Sequence, residues 1–292
     1  MIPPSGLCPF DIIDDDPFTP HFTPCGVPAR PPFEFMTFTW HAHIQGTCLQ
    51  VIRKEHGGPD KVMPERGIVT VFTAASRLKL FRYLNRINWS KCMKCLFVTV
   101  TYPDSADFLD YTTRNKHRFL LMRDIEKLVG KKVPTVWRCE WKNRKSGARL
   151  GMFTPHFHLI LFGIDDLPKG VLQATWAKSI QHTGFVSVDV KPMKGHQGAL
   201  RYLAKYVSKE EPLDIEAYLH NGISVGRHWG ITRKSLLPMA DVAIDRELTD
   251  EEVGTMQVLE MERNPHYNPD SDGGFTHLGI LPVVNALEQM GK

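Results

Sequence analysis

An apolar run ending at Gly163 carries two histidines one residue apart: Pro155-His156-Phe157-His158-Leu159-Ile160-Leu161-Phe162. A strand sends alternate side chains to one face, about 6.6 Å apart, so the run predicts a strand with both imidazoles on one side, in reach of a single ion. Forty-four residues beyond His158 the segment Arg201-Tyr202-Leu203-Ala204-Lys205-Tyr206-Val207-Ser208-Lys209 begins its tyrosine pair, spaced i,i+4 and therefore on one helix face. A two-histidine strand followed by a tyrosine helix joins candidate metal ligands to candidate nucleophiles in one chain.

The surrounding pattern predicts what holds these segments. Leu96–Tyr102 is a β-branched strand, and Tyr111–Val129 is helical with Leu121, Ile125 and Leu128 inward and Gly130 as its stop. Thr135–Trp141 and Phe153–Phe162 are strands; Lys169–Gln181 is a helix with Leu172, Trp176 and Ile180 on one side; Phe185–Val190 is a fourth strand. Strand, helix, strand, strand, helix, strand is the α+β split βαβ, or ferredoxin-like (RRM-like), arrangement: an antiparallel sheet with helices on one face and the other face open. The tyrosine segment, read as a helix over 198–209, lies near that open face.

Upstream, residues 33–73 suit two short strands around the Gly57-Gly58-Pro59 break, and Ser76 reads as the N-cap of a helix reaching Asn88, with Leu78, Phe81, Leu84 and Ile87 along its apolar side. Downstream, Gly226-Arg227-His228-Trp229-Gly230 reads as a turn, Thr249–Arg263 as an acidic amphipathic helix, and the last 25 residues as a tail. The expected organisation is a proline-rich irregular arm over 1–32, with nine prolines, one domain over 33–235 containing the six-element module at about 96–190, and an acidic extension over 236–292.

Charge fits a polyanionic partner. The net +4 hides −3 on residues 1–30 and −8 on 241–292, leaving +15 on 31–240, a match for nucleic acid. A hydrophobic fraction of 42% suits a globular core. No run approaches the ~18 apolar residues of a membrane span and no signal peptide is visible, so the expectation is a cytoplasmic protein without membrane association. The six cysteines (8, 25, 48, 92, 95 and 139) are scattered, which argues for reduced thiols; Cys92-Met93-Lys94-Cys95 is half a zinc pattern without its second pair.

Two imidazoles need a third protein ligand to make a catalytic metal site. The hairpin of 135–141 with 153–162, turning near 147–148, puts Glu140 opposite residue 155 or 156, with cross-strand Cβ atoms roughly 5 Å apart. His156, His158 and Glu140 are therefore the candidate ligands, and Mg²⁺ or Mn²⁺ the expected ion. A rival pair, His41 and His43 in Trp40-His41-Ala42-His43, has no acidic partner that a hairpin would place. Tyr202 and Tyr206 are weak nucleophiles at an unperturbed pKa near 10 and need an electrophilic phosphorus. Arg201, Lys205 and Lys209 share the adjoining stripe, where they could hold backbone phosphates; Lys205 and Lys209 could also favour a phenolate. Trp229 could stack on a base or pack in the core.

These residues carry a resemblance. His156-Phe157-His158 resembles the histidine–hydrophobic–histidine (HUH) motif, and Tyr202-Leu203-Ala204-Lys205-Tyr206-Val207-Ser208-Lys209 the double Tyr-x-x-Lys motif, of rolling-circle replication initiators. The two-tyrosine form is most similar to replication proteins of small single-stranded DNA phages, the Microviridae and their gokushovirus branch. Phe97-Val98-Thr99-Val100-Thr101-Tyr102 resembles the family's first motif, and Gly226–Gly230 a turn of the phage proteins that would add Arg227 and Trp229 to the DNA contacts. The resemblance covers about residues 76–235. It implies a site-specific endonuclease and strand transferase in which Tyr202 and Tyr206 attack origin phosphodiesters, His156 and His158 bind metal, and Glu140 completes the site. No Gly-x-x-x-x-Gly-Lys-[Ser/Thr] occurs, so a host helicase and polymerase are the implied partners. The alternatives are a plasmid or filamentous-phage initiator, a mobilisation relaxase or a transposase of the same chemistry, a non-catalytic DNA-binding replication protein, and a hydrolase that uses water.

Overall fold

The computed structural model describes residues 37–56, 72–92, 94–104, 108, 110–145, 147–148, 150–151, 153–193, 225–264, 267–268 and 274–278. The chain divides into two compact units, one of residues 62–241 and one that joins 1–61 to 242–292.

In the first unit, helix α1 (Ala74–Asn85) precedes strand β3 (Cys95–Thr101), helix α2 (Tyr111–Val129), strands β4 (Thr135–Asn143) and β5 (Phe153–Phe162), helix α3 (Lys169–Ser179), and strands β6 (Ser187–Pro192) and β7 (Trp229–Thr232). The sheet is antiparallel in the order β6-β3-β5-β4-β7, so the histidine strand is central. This is the predicted ferredoxin-like arrangement with one further strand, β7, on the β4 edge. The helices start and stop where their end residues dictate. Asp110 caps α2 by accepting from Thr113 N at 2.6 Å, and Gly130 ends it at φ 68°, a left-handed conformation that glycine adopts without a Cβ clash.

The pleat divides the sheet's side chains between two layers. Leu96, Val98, Val100, Trp137, Phe157, Leu159 and Leu161 pack against Leu121 and Ile125 of α2 and Leu172 and Trp176 of α3. Phe97, Val136, Ile160 and Phe162 point the other way. That second face was expected to be open. Instead Leu80, Tyr83 and Leu84 of α1, with Trp89, cover the half that carries these apolar residues. The N-cap of α1 lies three residues before the predicted one, at Thr73 rather than Ser76: the Thr73 hydroxyl accepts from Ser76 N. The rest of that face carries polar residues.

The second unit is a four-stranded antiparallel sheet, β8-β1-β2-β9, built from β1 (Thr37–Gln45), β2 (Cys48–His56), β8 (Val242–Glu247) and β9 (Gly274–Leu278). Ala42, Ile44, Leu49 and Val51 pack with Val253 and Met256 of helix α4 (Asp250–Arg263), whose N-terminus carries a Thr249–Glu252 capping box. Two expectations change here. Both paired strands, β1 and β2, precede the Gly57-Gly58-Pro59 break, joined by a turn at Gly46-Thr47 with Gly46 at φ 60°, while the break and the residues that follow it up to 71 lie outside the described residues. Residues 274–278, read as tail, pair with β2, an edge that only tertiary structure supplies. Cys48, Cys92, Cys95 and Cys139 are buried thiols, none of them in a disulfide. No described helix is long and apolar enough to cross a membrane.

Candidate active site

The register brings three side chains together. Glu140 on β4 is the Cα partner of His156 on β5, and the pleat places His158 on the same face as His156. Glu140 Oε2 lies 2.7 Å from His158 Nε2. The hairpin count puts these strands in this register, and Asp104 fixes the hairpin's loop by pairing with Arg144 at 2.8 Å and accepting from Ala148 N at 2.9 Å.

Neighbouring side chains hold each ring. Thr99 and Thr101 of β3 are the partners of His158 and His156, and their hydroxyls share hydrogen bonds with Nδ1 of these histidines at 3.0 and 2.7 Å. Phe97 stacks on the His158 ring, with centroids 5.6 Å apart. Both imidazoles are thus tied through Nδ1, which directs Nε2 of each away from β3. The carboxylate accepts at His158 Nε2, so that nitrogen bears the proton and Thr99 donates its hydroxyl to Nδ1.

Two members of the site are taken out of water, and burial bears on the charge of all three. Glu140 is 3% exposed and His158 5%. Burial alone would raise the Glu140 carboxyl; the hydrogen bonds from His158 and Lys142 outweigh it and hold the pKa at about 2. Burial is the main cause that lowers His156 to about 4, reinforced by the neighbouring His158 and Lys142 charges. His158 is also lowered by burial, against the pull of Glu140. At neutral pH the face therefore presents two neutral imidazoles beside an ionised carboxylate; ligation through His158 Nε2 would further require that ring's proton to move to Nδ1, where the Thr99 hydroxyl would accept it.

That donor chemistry fits a divalent ion, while the side-chain positions are those of a hydrogen-bonded His158–Glu140 pair with His156 bonded separately to Thr101. Among the described residues no group of three or more His, Cys, Asp or Glu side chains is arranged to hold a metal ion.

The remaining expectations fall in different places. Tyr202, Tyr206, Arg201, Lys205 and Lys209 lie outside the described residues. Arg227 lines a small cavity with Tyr111, Arg114, Arg118 and Trp137 on the α2 side of the sheet. Trp229 packs on the opposite side, against the α1 layer, and its indole N–H donates to Ser76 Oγ at 3.0 Å. The structure does not bring Arg227 and Trp229 together. His41 and His43 occupy β1, where Glu247 and Asp245 of β8 are their Cα partners. A carboxylate does face each of them, supplied by a strand distant in sequence rather than by a hairpin.

Three site residues were not singled out from the sequence: Thr99, Thr101 and Lys142. Their signal was the strand period. Both threonines alternate with core valines in β3, and Lys142 stands two residues beyond Glu140 on the same face of β4, where Nζ lies 2.7 Å from Glu140 Oε2.

The stretch that holds this geometry also carries a family match. Residues 95–211 match the family described as replication-associated protein ORF2/gene-2 protein. Over that stretch the chain is similar to replication-associated proteins. The match starts at the first residue of β3 and takes in the whole six-element module, Glu140, His156, His158 and the tyrosine segment, while His41 and His43 lie outside it. No curated protein and no solved structure matches the chain.

Proposed function

We propose that this protein initiates DNA replication by nicking single-stranded origin DNA and holding the strand through a phosphotyrosine. The observation that carries the reading is the His156–His158–Glu140 cluster on the polar part of one face of a ferredoxin-like sheet, inside the stretch that matches replication-associated proteins. His156 Nε2, His158 Nε2 and a Glu140 oxygen are the atoms that would hold a divalent ion, Mg²⁺ or Mn²⁺, which when bound would make a phosphate more electrophilic. Thr99 and Thr101 orient the rings by their hydrogen bonds to Nδ1.

The chemistry falls to Tyr202 and Tyr206. A phenolic oxygen attacks phosphorus, the new O–P bond keeps the 5′-phosphate on the protein, and the bond to the 3′-oxygen breaks, freeing a 3′-OH once that oxygen gains a proton. The phosphodiester energy is conserved in the phosphotyrosine, so the second tyrosine can cleave and rejoin later. Lys205 and Lys209, spaced i,i+4 in the sequence beside the tyrosines, are suited to neutralise phosphate charge near the phenols.

Incubation with Mn²⁺ and origin-containing single-stranded DNA tests this. The expected product is a denaturation-resistant adduct carrying the strand 3′ of the nick, retained in part by Tyr202→Phe and by Tyr206→Phe and lost in the double variant. Cleavage without an adduct would point to water as nucleophile, and binding without cleavage to a non-catalytic replication protein. An adduct that persists in the double variant, or that maps to another residue, refutes the mechanism.

A further inference from the structure

One oxygen in the site does double service. Glu140 Oε2 accepts from His158 Nε2 and from Lys142 Nζ, each at 2.7 Å. A carboxylate as buried as Glu140 calls for a compensating cation, and the Lys142 ammonium stands in contact with its oxygen. The Lys142 side chain is 41% exposed, so the ammonium reaches a buried acid from the solvent side on a flexible four-carbon stem.

We propose that Lys142 is the resident counter-ion of Glu140, that a divalent cation displaces it from Oε2, and that the released ammonium then takes a phosphate oxygen of the bound DNA strand. The inference rests on the reading of His156, His158 and Glu140 as metal ligands. A dication at Glu140 makes the ammonium redundant as a counter-ion and repels it at contact distance. The Lys142 stem lets the ammonium turn away, whereas His158 is fixed by Thr99 and by the Phe97 ring. Lys142 stands next to the end of β4, three residues before the exposed Lys145, so a displaced ammonium stays on the basic end of this hairpin. The same side chain would thus stabilise the metal-free site and position substrate in the loaded one.

Two measurements on the full chain test the displacement, neither of them a measure of activity. In the first, Mn²⁺ is titrated without DNA into the wild type, Lys142→Gln and Lys142→Arg, with the fold of each checked by circular dichroism. Lys142→Gln should bind Mn²⁺ about tenfold more tightly at low salt, the scale of one removed unit charge close to a protein surface, and Lys142→Arg should stay near the wild type. In the second, wild-type lysines are acylated and mapped by mass spectrometry, which needs no variant to fold. Modification of Lys142 should rise several-fold when Mn²⁺ is added.

Equal or weaker Mn²⁺ binding by a folded Lys142→Gln, or Lys142 reactivity that Mn²⁺ leaves unchanged, overturns the proposal while leaving the metal site standing. Wild-type protein whose Mn²⁺ binding is insensitive to His156→Ala overturns the metal reading, and the proposal with it. The phosphate role has its own sign. Lys142→Gln should reduce the salt slope of single-stranded DNA binding by about 0.7 with Mn²⁺ present and leave it unchanged in chelator; an equal reduction in both conditions would refute it.

Discussion

Two strands of this chain carry histidine, one residue, histidine, and each lies beside a strand bearing carboxylates, yet they build different surroundings. On β5, Glu140 is 2.7 Å from His158 and nearly fully buried, and both Nδ1 atoms are held by threonine hydroxyls. On β1, the carboxylates of Asp245 and Glu247 stand 3.8 and 4.0 Å from His43 and His41 with their side chains 53% and 60% exposed. Exposed pairs at such distances contribute little, about 0–1 kcal/mol, because water screens them. The sequence pattern is the same; what separates the strands is whether the acid is taken out of water with its partners in place. Only the buried arrangement fixes charge states and ring orientation at once.

The largest expected effect sets the two strands directly against each other. His156→Ala with His158→Ala should lower origin cleavage by about 10²–10³-fold or more, the scale of removing one preorganised electrostatic contribution, with the fold kept because neither imidazole is a member of an apolar cluster. His41→Ala with His43→Ala should leave cleavage unchanged. Gel assays of both double variants decide it, and the opposite ranking would move the site to β1.

How far this difference could be seen beforehand depends on sequence distance. The β5 site was legible because its parts are local: the Glu140–His156 register follows from counting one hairpin, and the module's order follows from periodicity and glycine stops. The β1 surroundings were not, because β8 and β9 reach β1 and β2 across about 200 residues of chain, and no period reports a partner that far away. The cover over half of the sheet's second face was missed for a related reason. The apolar residues Phe97, Val136, Ile160 and Phe162 were visible as strand residues, but what packs on them, α1, comes from before the module. Lys142 and the two threonines were within reach of the period-two rule; they went unremarked because a lysine or threonine on a strand's polar face is ordinary.

Acid should distinguish the strands less severely. His156 titrates at about 4 in the folded chain and near 6.5 unfolded. Between those values the unfolded chain binds more protons, so stability falls as pH drops through the window from about 6.5 to 4. Glu140, at about 2 when folded, extends the loss below its ordinary range near 4.5. The histidine's share is at most about 3 kcal/mol, less whatever solvent screens. His41 is lowered too, by burial first, and contributes in the same direction. Denaturant melts in chelator at pH 7, 5.5 and 4.5 should therefore show a steeper fall for wild type than for His156→Gln. Indistinguishable slopes would mean that His156 is hydrated rather than desolvated.

The smallest effect concerns how DNA meets the two regions. Residues 31–240 carry +15, and single-stranded DNA binding should weaken with salt along a log–log slope of about −0.7 per phosphate neutralised. Charge in bulk does not say where the strand runs, but single lysines do. Lys145 is exposed on the β4–β5 hairpin that leads out of the His156–Glu140 site, and Lys54 is exposed on β2, close enough to His41 to lower its pKa. Both are solvated cations of equal charge, so their removal changes the total field equally. If the strand crosses the β5 site, Lys145→Ala should make the slope shallower by about 0.7, while Lys54→Ala should leave it as it was. Affinities of the two variants measured from 50 to 300 mM salt give the slopes. Equal changes would mean that DNA reads only the overall positive field, and a change confined to Lys54→Ala would place the strand on the β1 sheet instead.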